Sequence, residues 1–127
     1  MCAACSAPRL DTSPAWRAPV TRCWRSVFSP EPGLFEIVDE LDAAQPLGAC
    51  FHLHTPLAAR HDGPCWVLAG DGLRVVIEPE WAVASAGFAQ EDMGIGKYGT
   101  AYGHLQLRVA PARRHRLLTR IRIQRQR

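Results

Sequence analysis

From residue 20 onward the chain is a succession of short apolar or alternating segments divided by turn residues. TRCWRSVF gives way to SPEPG, LFEIVDEL to DAAQP, and LGACFHLH to TPLAARHDGP. CWVLA, GLRVVIEP, EWAVAS, AYGHLQLRV and RLLTRIRI follow, separated by AGDG, a glycine-rich stretch and APARR. Side chains on a strand alternate between two faces, so segments of this kind bury one face and wet the other. In LFEIVDEL, Phe35, Ile37 and Leu41 fall on one such face, and Pro30, Pro32 and Pro46 bracket the segment against helix. Asp71-Gly72 between two apolar runs predicts a two-residue hairpin. Roughly eight strands in about a hundred residues predict an all-β fold, an antiparallel two-layer β-sandwich over residues 20–127. Residues 1–19 read as a flexible N-terminal segment, without the basic and long apolar regions of a secretory leader.

The composition agrees with one domain. A hydrophobic content of 47% in 127 residues supports one continuous core. Apolar runs such as CWVLAG stop far short of the ~20 residues that cross a bilayer, so no membrane span is expected. The five cysteines are scattered, and C-x-x-C at Cys2 and Cys5 lacks the second pair of a zinc finger. Trp24, Trp66 and Trp81 are expected in the core.

Charge is distributed unevenly. Residues 113–127 hold seven of the fifteen basic residues and no acid, which leaves eight basic against twelve acidic residues, net −4, in the remainder. Thr119, Ile121 and Ile123 alternate with Arg120, Arg122 and Gln124, so the tail reads as a last strand with a basic outer face rather than a nucleic-acid-binding arm. Gly94, Gly96 and Gly99 spell G-x-G-x-x-G but precede an alternating strand instead of a helix, which excludes a dinucleotide fingerprint. That stretch is expected to be a loop carrying Lys97 and Tyr98 at its tip.

FHLH, residues 51–54, carries the most specific chemistry. On a strand His52 and His54 share a face opposite Phe51 and Leu53, a geometry in which two imidazoles can converge on one ion. A half-buried strand also turns polar residues to water for no further reason. A hairpin turning at residues 43–45 would set Glu36, rather than Asp39, opposite His52 or His54.

Taken in order, TRCWRSVF, LFEIVDELDA, GACFHLHTP, the strands around Asp71-Gly72, and MGIGKYG through HLQLRV to LLTRI resemble the C-terminal β-sandwich of heparinase II/III-like polysaccharide lyases. The resemblance implies a domain that accompanies a helical toroid, in the same or a neighbouring chain, and acts with it on acidic, uronate-containing polysaccharides by β-elimination. It places the catalytic groups on the toroid, so no catalytic residue is assigned in this chain. It implies zinc held by Asp39 and His54, with His52 beside them and Cys23 standing where the family carries a further histidine. Lys97, Tyr98, Arg120 and Arg122 are the expected contacts to the acidic glycan, and periplasmic or extracellular placement would follow for a full-length lyase. The competing expectation is a stand-alone carbohydrate-binding or protein-interaction sandwich.

Overall fold

A computed structural model describes residues 9–11, 20–92 and 101–126 of the chain. The described residues contain no helix, and none is therefore long and apolar enough to cross a membrane. Among the described residues there are eight strands: β1 (Arg9–Asp11), β2 (Val20–Glu31), β3 (Leu34–Thr55), β4 (Ala58–Asp62), β5 (Cys65–Gly70), β6 (Leu73–Pro79), β7 (Ser85–Asp92) and β8 (Ala101–Arg125). All pairings are antiparallel, in the order β1-β2-β3-β8-β6-β5-β4, with β7 also on β8.

The all-β antiparallel expectation holds, but the strands are divided differently. DAAQP and APARR do not end strands: LFEIVDEL and LGACFHLH are two halves of β3, and AYGHLQLRV and RLLTRIRI are two halves of β8. The expected hairpin at residues 43–45 is therefore absent, and neither Glu36 nor Asp39 lies opposite a histidine of β3. Arg120 stands opposite Glu36, Leu117 opposite Asp39, Gln106 opposite His52 and His104 opposite His54. The stretch before the Cys65 strand contains β4, and Arg9–Asp11, within the segment expected to be flexible, pairs with β2.

The two long strands bend together. Between the pairs Asp42–Arg114 and Leu47–Ala112, four residues of β3 face one of β8; between Leu47–Ala112 and Ala49–Val109, one residue of β3 faces two of β8. Extra residues in a ladder kink it and increase its twist. Pro46 and Pro111 sit in these irregular stretches, where a missing N–H breaks no regular ladder bond. His115, 8% exposed, donates Nε2–H to the Leu47 carbonyl at 2.6 Å and so satisfies a backbone acceptor inside the bend.

The bend turns one sheet into two layers. Ile77 lies beside Ile121 of β8 yet belongs to one buried cluster with Leu107, fourteen positions back along the same strand. On a straight strand those positions would be about 45 Å apart. Leu68 and Ile77 of the wide layer thus pack on Phe51, Leu105 and Leu107 of the narrow layer, with Trp66, Trp81, Val83 and Phe88 around them. The wide layer holds β1, β2, the first half of β3, the second half of β8, β6, β5 and β4. The narrow layer holds only the second half of β3, the first half of β8, and β7.

Local chemistry secures the crossings. Asp71 and Gly72 take φ 52° and 73°, the left-handed pair of the predicted β5–β6 hairpin. Residues 80–84 pass from β6 to β7 and are tied to β8 at both ends, Glu80 N–H to the Leu118 carbonyl at 2.8 Å and Ala84 N–H to the Arg108 carbonyl at 2.7 Å. Trp81, in this connection rather than in a strand, donates Nε1–H to Thr119 Oγ1 at 3.2 Å; Thr119 is fully buried.

On the outer face of the wide layer, β8 presents a row of arginines between two rows of acids. Arg114 meets Asp42 at 3.9 Å, Arg116 meets Glu40 at 3.5 Å, and Arg120 meets Glu36 at 3.4 Å and also Glu80. Arg122 lies 3.8 Å from Glu78 and 4.0 Å from Glu31. The basic tail is thereby matched against the acidic remainder of the chain.

Gly103 provides a direct test of the narrow layer. A Cβ there would overlap the Phe88 ring, which lies across the glycine from β7. Gly103→Ala is expected to displace Phe88 and lower stability by about 1–3 kcal/mol in urea unfolding. In Phe88→Ala the same glycine substitution should cost little, and equal costs in both backgrounds would refute the contact.

Candidate functional site

The outer face of the narrow layer combines the chemistry of FHLH with that of a second strand. β3 supplies Cys50, His52 and His54; directly opposite, β8 supplies Arg108, Gln106 and His104. Their register partners on β7 are Ser85, Gly87 and Ala89, so the row is bordered by small side chains. His54 and His104 stack with ring centroids 4.1 Å apart at 20°, and His52 and His104 at 5.0 Å and 28°. His104 is 9% exposed, whereas His52, His54 and Arg108 are exposed.

Hydrogen bonds run through the row in one direction. Arg108, which can only donate, gives an Nη2–H to Gln106 Oε1. The amide is thereby oriented with Nε2 toward His104 Nδ1, at 3.1 Å, and donates to it. His104 must then carry its proton on Nε2, which lies 2.8 Å from His52 Nδ1. His52 accepts there and keeps its proton on Nε2. This assignment satisfies all three contacts at once and makes His52 Nε2–H a donor set by Arg108 two positions away on the facing strand.

Residues 48–55, 85–90 and 103–109 of the three strands contain no aspartate or glutamate. The face therefore offers N–H donors and planar rings without carboxylates from those segments, in contrast to the charge-matched outer face of the wide layer. Such a surface suits acceptor-rich ligands, since carboxylate and hydroxyl oxygens can take the donors.

The sequence-selected metal ligands are not assembled. His52 and His54 share a face as expected, but Asp39 lies in the other half of β3, across the bend. There Arg25 holds it through Nε at 2.6 Å and Nη2 at 3.2 Å. The hydrogen bond to Asp39 raises the Arg25 pKa further above its ordinary value. Cys23, Arg25, Asp39, Leu41, Cys50 and His115 line a cavity of about 290 Å³ beside β2. Among the described residues no group of three or more histidine, cysteine, aspartate or glutamate side chains is arranged to hold an ion, and Asp39, His52 and His54 do not fit zinc as a set.

Of the expected glycan contacts, Arg120 and Arg122 stand in the wide layer's ion-pair rows, each with two carboxylates. Lys97 and Tyr98 lie outside the described residues, as do Cys2 and Cys5. The sequence reading took AYGHLQLRV as a strand only. Its polar positions 104, 106 and 108 repeat the alternation of 50, 52 and 54, and that shared phase was the available signal of a second half to the site.

A second surface feature lies where the narrow layer ends. His61 and Trp66 stack at 4.8 Å and 16°, and with Pro64, Pro79, Trp81 and Val83 they line a groove of about 370 Å³ against Ser85 and Ala86 of β7. Trp66 and Trp81 pack on the core as expected, and each also reaches this surface.

Cys50 stands at one end of the row, opposite Arg108. Its Sγ is 3.9 Å from His52 Nδ1, and burial pushes its thiol above the ordinary value. Cys65 is raised too, by burial and by the nearby Glu78, Asp62 and Glu80. At pH 8 both are expected to be alkylated by iodoacetamide several-fold more slowly than an unperturbed thiol with pKa about 8.5, and to gain rate as pH rises. Peptide mapping by mass spectrometry would contradict this if either proved fast. Comparison of the chain with protein-family models and with curated proteins found no match.

Proposed function

We propose that this chain is a non-catalytic, glycan-binding β-sandwich, corresponding to the C-terminal domain of heparinase II/III-like lyases and working beside a helical toroid on uronate polysaccharides. The order of the segments from TRCWRSVF to LLTRI supports the family reading. The observation that carries the binding reading is the directed row Arg108–Gln106–His104–His52. Arg108 is already held by Gln106, so little reorganisation precedes its contact with a uronate carboxylate or ring hydroxyl.

The proposal also gives the arginines different roles. Arg120 and Arg122 attract anions only in competition with Glu36, Glu80, Glu31 and Glu78, and exposed attraction of that kind fades as salt is added. Arg108 is engaged by an amide and keeps its full charge for a ligand. Cleavage requires neutralisation of the uronate carboxylate, removal of the proton alpha to it and protonation of the leaving oxygen. The proposal assigns these steps to the toroid.

Calorimetric titration with alginate, heparin and cellulose hexasaccharides tests the reading. The acidic sugars should bind and the neutral one should not. Arg108→Gln should weaken binding about fivefold to tenfold, a loss of ~1–1.4 kcal/mol. Gln106→Glu should abolish it by placing a carboxylate in the row, while Arg122→Gln should change it less than twofold. Equal affinity for cellulose hexasaccharide, or indifference to both row substitutions, would defeat the binding reading. Release of unsaturated uronate by the isolated chain would defeat the assignment of catalysis to the toroid.

A further inference from the structure

Strands β2, β3 and β8 lie side by side in the wide layer, and directly opposite residues share a face. On one face Val27 is aligned with Ile37 and Thr119, Arg25 with Asp39 and Leu117, and Cys23 with Leu41 and His115. Ile37 packs on the core cluster and Thr119 is fully buried, so this is the inner face. Arg25 and Asp39 thus set an ion pair among positions that the strand pattern assigns to the interior. A local rule broken in this way marks a strained or functional place.

The pair borders the cavity of about 290 Å³ beside β2. Leu41 and Leu117 of the wide layer and Ala49 and Phe51 of the narrow layer give it apolar walls. A cavity of about 150 Å³ lined by leucine, isoleucine and phenylalanine takes up benzene. One nearly twice that size has room for a ring with a short substituent.

Asp39 takes two of the five N–H groups of Arg25, from Nε at 2.6 Å and from Nη2 at 3.2 Å. No other hydrogen-bond partner meets the guanidinium among the described residues. Its remaining donors stand at the rim, where the Arg25 side chain is 45% exposed. Charge decides what can accept them. A carboxylate approaching Arg25 also meets Asp39, and an ammonium approaching Asp39 also meets Arg25. Neither ion recovers at this paired rim the hydration it loses against the apolar walls. Glu40, the other acid on the border, pairs with Arg116 of the outer face. An uncharged carbonyl oxygen accepts from the guanidinium without that loss, and an apolar ring behind it fits the walls.

We propose that this cavity is a binding pocket for an uncharged, one-ring molecule bearing a carbonyl oxygen. Leu41, Ala49, Phe51 and Leu117 hold the ring, and Arg25 donates to the oxygen. Asp39 is a positioning residue, fixing the guanidinium plane through two bonds. The pocket lies on the inner side of β3 and does not depend on the glycan reading.

The probe is acetophenone, with benzoate and 1-phenylethylammonium as charged molecules of nearly the same shape. Titrated at neutral pH into the full chain labelled with ¹⁵N, acetophenone should bind with a Kd of about 0.1–1 mM, as fits so small a molecule. It should shift Arg25 Nε–H and the amides of Leu41, Ala49, Phe51 and Leu117. Both charged molecules should bind at least about tenfold more weakly. Ala49→Leu should fill the cavity and weaken acetophenone by a similar factor, with the urea midpoint at or above that of the unsubstituted chain. Arg25→Met combined with Asp39→Leu keeps the walls and removes the donors, and should cost acetophenone about fivefold. Benzoate binding as tightly as acetophenone, shifts confined to residues outside β2, β3 and β8, or no saturation by ~5 mM acetophenone would each overturn the proposal. So would unchanged affinity in a folded Ala49→Leu chain; if that chain does not fold, unchanged affinity in the double variant decides against the pocket.

Discussion

β3 and β8 run antiparallel from Leu34 opposite Arg122 to Thr55 opposite Gly103, and both layers are built on this one pair. Because they remain hydrogen-bonded through the bend, neither can turn without the other, and the unequal insertions on the two sides of Leu47–Ala112 determine where the turn is made. Burial then favours the bent form over a straight ribbon. A flat sheet would leave Leu68 and Ile77 facing water, whereas folding places them against Phe51, Leu105 and Leu107. Deleting a buried leucine or isoleucine from such a cluster typically costs about 2–5 kcal/mol, so the contact between layers outweighs any single ion pair on the surface.

The same pairing distributes the polar chemistry. On the wide layer's outer face it sets arginines of β8 among acids of β3 and β6, each pair contributing about 0–1 kcal/mol but all agreeing with one register. A slip by one residue would turn Leu117, Thr119 and Ile121 outward and the arginines inward, so charge and hydrophobic pattern select the same alignment. Past the bend β3 and β8 contribute no acid over residues 48–55 and 103–109, and they carry the row from Arg108 to His52. Two surfaces on one continuous pair of strands thus differ in character: one is internally neutralised, and the other presents donors.

Unequal layer widths account for the remaining recesses. Where β2 extends beyond the narrow layer, the Arg25–Asp39 pair and His115 border one cavity. At the turn between β4 and β5, His61 and Trp66 border a second, against Ser85 and Ala86 of β7. Both are consequences of a sheet folded off centre, with fewer strands on one side of the fold than on the other.

The alternation from residue 20 onward was enough, by itself, to determine the all-β antiparallel class, because a period of two leaves an amphipathic segment no other way to bury one face. It also determined the Asp71-Gly72 hairpin, where positive φ at two successive positions is a local requirement. It did not reveal that DAAQP and APARR are bends within strands: proline and small residues serve a bulged corner as well as a chain reversal, and only the cross-strand partner distinguishes them. That difference decided the site. Read as a hairpin, β3 would bring its own acids toward His52 and His54. Read as one bent strand, it gives Asp39 to Arg25 and gives the histidines to His104 and Gln106, fifty or more residues away. The residue types of the site were visible in one dimension, but their partners were determined by a register spanning half the chain, which alternation alone does not encode.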